Sequence, residues 1–370
     1  MSKRISVFIF IIAALSFLIV GAKYAKEAGI FRKFPDAEYF SEEEARLRPA
    51  YEQLSKKEKA VYHALYEGIS AKKESIPLPY EINGDTYSKL YCLVEKQESG
   101  LFYVSSTYYT AEKLRDARIA YRGEDTQQDA KKEAFRTAEK KAVQAALYKS
   151  DDYTKALAIH DYLIRHCEYT VSTENDYTST AYGCLVEGKA NCEGYAKAFR
   201  QIAMDCGLRC VLVTGVTDTG ENHAWNQVEI DGEWRNIDVT WDDSDVYGDS
   251  RRLYFLCNDA EFSKTHTPEN NGFKPFECGG DANDYYSRSG KSADTLSAAE
   301  NIIRTAVADG QDVIDVKFTN SVLYEQFRTM YIENNRIFDI LLSEGMGRAG
   351  KISVSIRENQ KENCITLLLS

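Results

Sequence analysis

Asp231-Gly232 separates two alternating runs, His223 to Ile230 and Glu233 to Thr240. Asp-Gly is the preferred two-residue type I′ turn, and a two-residue loop fixes the register of the strands it joins. Ile230 then stands opposite Glu233, and counting back sets His223 opposite Thr240. Side chains alternate between the faces of a sheet. One face of this hairpin collects Ala224, Val228, Ile230, Ile237 and Val239, a core surface. The other carries His223, Trp225, Gln227, Asn236 and Asp238. His223 and Asp238 become diagonal neighbours there, close enough for a carboxylate to accept the imidazole N–H and fix its tautomer. A lone strand histidine is usually structural; a histidine and an aspartate sharing a face are a candidate acid–base pair.

Upstream, the loop Gly188-Lys189-Ala190 runs into Asn191-Cys192-Glu193-Gly194-Tyr195-Ala196, then Phe199, Ile202 and Ala203 at helical spacing. Asn191 reads as the helix cap, so Cys192 falls at the first helical position. Free N–H groups and the positive end of the helix dipole favour a thiolate there and can hold an oxyanion. By position alone, a nucleophile and an inert buried cysteine are equally good readings. The downstream His223 and Asp238 decide for the nucleophile.

These motifs together resemble the bacterial transglutaminase-like superfamily, and most of all its branch related to kyphoscoliosis-peptidase domains. The resemblance is carried by Tyr182-Gly183-Cys184-Leu185, Asn191-Cys192-Glu193-Gly194-Tyr195-Ala196, Val213-Thr214-Gly215, His223-Ala224-Trp225-Asn226 and Asp238-Val239-Thr240-Trp241-Asp242. Ala158 to Leu163 and Tyr254-Phe255-Leu256 add to it, so it spans about residues 150 to 267. It implies an α+β, papain-like fold in which a helix carrying the cysteine packs on an antiparallel sheet. It also implies Cys192 as nucleophile, His223 as base and Asp238 as the residue orienting it. Trp225 and Trp241 flank the triad as candidate cleft residues, and Tyr182 is a candidate oxyanion donor. Cys184 is expected to be structural or disulfide-bonded. His160 and Asp161 read as packing and capping residues, because neighbours on a helix diverge by about 100 degrees. His266 reads as structural.

The rest of the chain sets the context. Lys3 and Arg4 precede an apolar run from Ile5 to Ala22, which reads as an export segment; a cleaved signal and a retained membrane anchor both fit residues 1–22. The protein is therefore expected outside the cytoplasm. The nine cysteines suggest several disulfides plus one free thiol, and no Cys-x-x-Cys pair supports zinc. A net charge of -11 argues against nucleic acid. Three further regions are expected: an N-terminal α+β region at 41–125, the catalytic domain at 126–278 and a small α+β module at 295–370. Within the first, Ser41 and Glu44 read as a capping box opening a helix that continues through Leu54, Val61, Leu65 and Ile69, and residues 82–109 read as β-rich. Helices are expected over 129–149, 153–166 and 321–343. Strands are expected at 313–318, 352–356 and 364–369.

The expected chemistry is acyl transfer through a thioester on Cys192, with no cofactor and no metal. The expected partner is a peptide, protein or cell-wall amide, cleaved by water or passed to an amine. The alternative is a silent module that binds peptide or cell-wall material in the same cleft.

Overall fold

A computed structural model describes residues 33–123, 125–172, 176–243, 252–280, 284–345 and 353–370, together with Val20 and Lys23. The apolar run 5–22 otherwise lies outside the described residues. Among the described residues no helix is long and apolar enough to cross a membrane.

The Ser41–Glu44 capping box forms as expected, but the helix it opens, α1, is only Glu42–Arg46. Pro49 restarts the chain as α2, Pro49–Glu52, and a second capping box, Ser55 with Glu58, opens α3, Lys56–Ser70. Proline disfavours the helical conformation in the residue before it, so Arg48 leaves the helix and the long periodic run becomes three pieces. The β-rich reading of 82–109 is overturned. The strand β1 lies earlier, at Ser75–Asn83, and Gly84–Gln97 is a helix, α4, capped by Asn83. Its buried Tyr87, Leu90, Tyr91 and Val94 follow the i, i+3, i+4, i+7 period of a helix face, which outweighs their strand preference. β2, Lys113–Arg118, pairs with β1.

Two long helices follow, α5 at Asp125–Ala146 and α6 at Asp152–His166. Short β3, Glu168–Tyr169, pairs in parallel with β4, Lys189–Ala190, and β4 delivers the chain to α7, Cys192–Asp205. Next come β5 (Cys210–Thr217), β6 (Asn222–Ile230), β7 (Glu233–Ile237), α8 (Val239–Asp242), β8 (Phe255–Cys257), α9 (Asp259–Phe262) and β9 (His266–Pro268). The strands make one antiparallel sheet in the order β8-β7-β6-β5-β9. The hairpin register is as expected, Ile230 opposite Glu233 and Gln227 opposite Asn236. Asp231 and Gly232 both have positive φ, 54° and 82°, as a type I′ turn requires. α7 packs on β5 and β6 through small residues, Ala196 against Leu212 and Ala224.

The N-terminal elements share one hydrophobic core with α5 to β9, so no break in the core falls near residue 125. Gln97, at the end of α4, completes the sheet. β9 pairs with β5 only at Gly215, Val216 and Thr217, which leaves Leu212 without a strand on that side. The Gln97 amide fills the gap: its Nε2 donates to the Leu212 carbonyl at 2.7 Å, and its Oε1 accepts from the Leu212 N–H at 3.1 Å. The same Oε1 accepts from Arg200 Nε of α7 at 3.0 Å.

After α10, Tyr285–Arg288, the C-terminal region has a core of its own. Its sheet runs β10-β11-β13-β12, with β10 at Ser292–Ala293, β11 at Val313–Phe318, β12 at Val354–Asn359 and β13 at Cys364–Leu369. α11 is Leu296–Ala308. The single helix expected over 321–343 is broken into α12 (Ser321–Phe327), a π-helical turn (Arg328–Glu333) and α13 (Ile337–Ser343), with Asn335 at positive φ in the break.

Replacing Gln97 with Leu strands a buried N–H and a buried carbonyl on Leu212. The expected loss is about 2–4 kcal/mol, read as a lower urea midpoint at unchanged slope. A loss under about 1 kcal/mol would mean the amide does not carry this edge.

Candidate active site

Asn191 caps α7 as expected, its Oδ1 accepting from the Gly194 N–H at 3.1 Å. Its Nδ2 donates to Ser179 Oγ at 2.7 Å, which ties the cap to the preceding loop. Cys192 is the first residue of α7 and is half-buried. All nine cysteines are free thiols, against the expectation of several disulfides. Seven are buried in the cores, and only Cys92 and Cys192 are partly exposed. Cys184, expected to be structural or bridged, is a buried free thiol whose neighbour is Cys167.

His223 enters from β6 and Asp238 from the end of β7. His223 Nε2 and Asp238 Oδ2 are 2.6 Å apart. The strand pairing stops at Ile237, so Asp238 does not sit in the extended hairpin that the register alone projects. It leaves the sheet as the N-cap of α8, with Oδ1 accepting from the N–H groups of Thr240 at 3.0 Å and Trp241 at 3.2 Å. A carboxylate with these donors is held ionised, since hydrogen bonds to the charged form favour it. Burial opposes ionisation of Asp238, but His223 and then His266 outweigh it and keep the carboxyl well below its ordinary range. Burial likewise opposes the imidazolium of His223. The Asp238 charge, with a further contribution from hydrogen bonding to Cys192, overcomes it and raises His223 to about 10.

Trp225 is buried behind His223, its ring at 6.3 Å and 24°. It fits there because Gly215 faces it; a Cβ on Gly215 would meet the Trp225 ring at 2.8 Å and the Thr267 carbonyl at 2.1 Å. Trp241 flanks the other side at 5.6 Å from His223. Tyr182 is placed differently from the other candidates. It is buried, its ring stacks on Phe102 at 4.8 Å, and Lys131 lies over it, so its ring contacts belong to the α5 side of the core.

Several residues at the site were either not singled out from the sequence or were read only as supporting residues. His266, read as purely structural, lies with Nε2 3.1 Å from the same Asp238 Oδ2. One ring nitrogen of His223, one of His266 and a carboxylate oxygen of Asp238 all lie within 4.8 Å of one another, and the two contacts to Oδ2 have the lengths of N–H donations to a carboxylate. Tyr169 is a half-exposed wall residue; burial, then the charges of Cys192 and Asp238, raise its phenol. Only the pairing of β3 with β4 brings it there, and a two-residue strand leaves no pattern in a sequence. Glu193, next to the thiol, is gripped by Lys197 at 2.9 Å and Lys96 at 3.2 Å. Those cations overcome its burial and bring it to about 2, and Lys197 also pairs with buried Glu95 at 2.6 Å. His160 and Asp161 do support the site, but as direct partners: His160 Nδ1 lies 3.0 Å from Asp161 and its Nε2 3.1 Å from Asp242 of α8.

The family model for the transglutaminase-like superfamily matches residues 139–239, the stretch from α5 through Asp238. This chain carries a transglutaminase-like domain. Over 144 residues it is 30% identical to kyphoscoliosis peptidase of Mus musculus and 28% identical to that of Homo sapiens. Each match covers 33% of this chain and 22% of the relative, so the chain spans under a quarter of the length of those curated proteins. A solved structure described as a TGase is similar at 20% identity and a TM-score of 0.28, covering 32% of this chain and 34% of its own. By the family match and by its own architecture, a cysteine-bearing helix packed on an antiparallel sheet, the domain is an α+β, papain-like unit of a cysteine-enzyme class.

The His223–Asp238 bond has a pH signature. His223, raised to about 10, contributes stability in full below its ordinary value of 6.5 and loses it as pH rises toward 10. Asp238, held low, contributes in full above its ordinary 3.8 and loses it as pH falls below that. The two describe one interaction from either side. The stability advantage of the native chain over Asp238→Asn should be flat from about pH 4 to 6.5 and shrink toward pH 10 in urea unfolding. A gap that is constant up to pH 10 would contradict the ion pair.

Proposed function

We propose that this chain is an exported cysteine enzyme that carries out acyl transfer from peptide or isopeptide amides through a thioester on Cys192. The observation that carries the reading is the 2.6 Å bond clamping His223 to Asp238, on the sheet against which the Cys192 helix packs. The Cys192 thiolate attacks the amide carbonyl carbon, and the oxyanion is held by N–H groups at the start of α7. The C–N bond breaks as protonated His223 gives its proton to the leaving nitrogen, which departs as amine or ammonia. His223, now neutral, takes a proton from water or from an acceptor amine, whose oxygen or nitrogen attacks the thioester carbon and expels the thiolate. Water gives hydrolysis and an amine gives a new amide. Peptidase or amidase activity is favoured here, because the half-buried Cys192 and half-exposed Tyr169 leave the site open to solvent.

Export rests on the segment 1–22, and the substrates it favours are peptides, proteins or cell-wall amides. A silent peptide- or cell-wall-binding module would keep the same cleft without turnover.

Alkylation by iodoacetamide separates the two. Cys192 is expected to react at pH 6 to 7 well ahead of the other eight thiols. Incubation with a panel of peptide and cell-wall amides should add an acyl mass to Cys192, and His223→Ala should slow that acylation by about 10²–10⁴-fold. If Cys192 alkylates no faster than Cys92 and no amide acylates it, the enzyme reading fails and the binding module stands.

A further inference from the structure

We propose that His266 is a positioning residue for His223: its Nε2–H shares the Asp238 Oδ2 with the His223 ring, so the carboxylate's hold on the base is divided between two imidazoles. The inference rests on the reading of His223 as the base of a thiol enzyme.

Four hydrogen bonds converge on the Asp238 carboxylate. Oδ1 takes two backbone N–H groups, and Oδ2 faces His223 Nε2 at 2.6 Å and His266 Nε2 at 3.1 Å. An ionised carboxylate only accepts, so both imidazoles must carry their proton on Nε2. In the tautomer with its proton on Nε2, His266 needs no charge to do this, and its Nδ1 is then an acceptor 2.9 Å from the Thr265 hydroxyl, closer than the Phe262 carbonyl to which that hydroxyl also points at 3.4 Å. His223 spends Nε2 on Asp238 in the same way, which leaves Nδ1 as the nitrogen that serves the Cys192 thiol. One N–H thus reads the carboxylate on behalf of the thiol, and the other only draws on it.

The packing holds His266 to that task. Its ring is fully buried, stacked on Phe262 at 4.0 Å and 18°, with Trp241 at 4.4 Å, Trp225 at 5.2 Å, His223 at 5.4 Å and Tyr254 at 5.8 Å. The other titratable groups facing the cluster are Cys192 from α7, Tyr169 from β3 with Glu221 behind it, and Asp218, whose carboxylate is paired with Lys361 of the C-terminal region at 2.5 Å.

The division has a chemical consequence. A carboxylate that bonds one imidazole alone holds that imidazolium tightly, and a tightly held imidazolium is a poor proton donor to a leaving amine. A second donor on the same oxygen draws off part of that charge, lowers the basicity of His223 and eases the proton transfer. The carboxylate stays ionised throughout, since both donors favour its charged form.

The test is titration of the five histidines by imidazole nitrogen NMR from pH 5 to 11, in the native chain and in His266→Phe, His266→Met and His266→Gln. Phe and Met remove the donor, and Gln can restore one. In His266→Phe the His223 midpoint should rise by about half to one pH unit, while His266→Gln stays within about 0.3 unit of native. If His266→Phe does not fold, judged by thermal unfolding, His266→Met against His266→Gln decides by the same criteria. An unmoved His223 midpoint in the variant without a donor, or an equal shift in His266→Gln, overturns the proposal. A purely structural role would lower the unfolding temperature and leave that midpoint in place. Alkylation of Cys192 in the native chain judges the enzyme reading separately: an ordinary thiol there defeats that reading, while the His223 midpoint still decides whether the carboxylate is shared.

Discussion

The Asp238 carboxylate does three structural jobs with two oxygens. It ends β7, it caps α8, and it binds the two imidazoles on the sheet face below it. Each job constrains the others. Because Oδ1 is committed to the N–H groups of Thr240 and Trp241, the carboxylate plane is fixed and Oδ2 can only point at the histidines. α8 is a single turn and too short to be stable alone. Its far end is held by Asp242, which accepts from buried His160 of α6 and from the Tyr254 N–H. A chain of buried polar bonds therefore runs from α6 through α8 to His223. In surroundings this dry, each such bond is strong and each missing partner is costly.

The N-terminal elements are part of the same construction. α4 presents Glu95, Lys96 and Gln97 in succession to the domain that bears the cysteine. Lys96 neutralises Glu193, Glu95 pairs with Lys197 of α7, and Gln97 stands in for a missing strand beside Leu212. Glu193 is the acid closest in sequence to the thiol, and an unpaired negative charge there would oppose a thiolate. The two lysines remove that opposition. The segment before residue 126 thus supplies electrostatics to the site as well as covering it.

The sequence revealed the site better than its surroundings. The Asp-Gly turn set the register of β6 and β7, and the Asn191 cap located Cys192 at a helix start; both are local signals that depend on two or three neighbouring residues. The run of 84–97 was misread because its aromatic and branched residues favour strands, while the packing of Tyr87, Leu90, Tyr91 and Val94 on one helix face decided otherwise. Pro49 broke a helix whose apolar period continued across it. Asp238 was placed on the correct side for a partly different reason: it reaches His223 from a helix cap rather than from a strand. His266, Lys96 and Gln97 come from elements 28, 97 and 115 residues away from the groups they serve, and Tyr169 comes from a strand too short to read. No local pattern encodes such contacts.

Nine thiols in one chain raise the question of how one of them could be singled out. Burial pushes the thiols of Cys184, Cys206, Cys210, Cys257 and Cys278 up, Cys206 to about 11 and Cys210 to about 12, which leaves them protonated and out of reach. Cys92 is partly exposed, yet burial raises its thiol, and this outweighs the hydrogen bond from Tyr108 and the charge of Lys96, which favour the thiolate. Cys192 alone combines partial exposure with a helix N-terminus and an imidazole held by a buried carboxylate. Selectivity among chemically identical groups then follows from placement. Seven are withheld by the core, Cys92 is disfavoured by its partial burial, and Cys192 lies at the helix start beside His223.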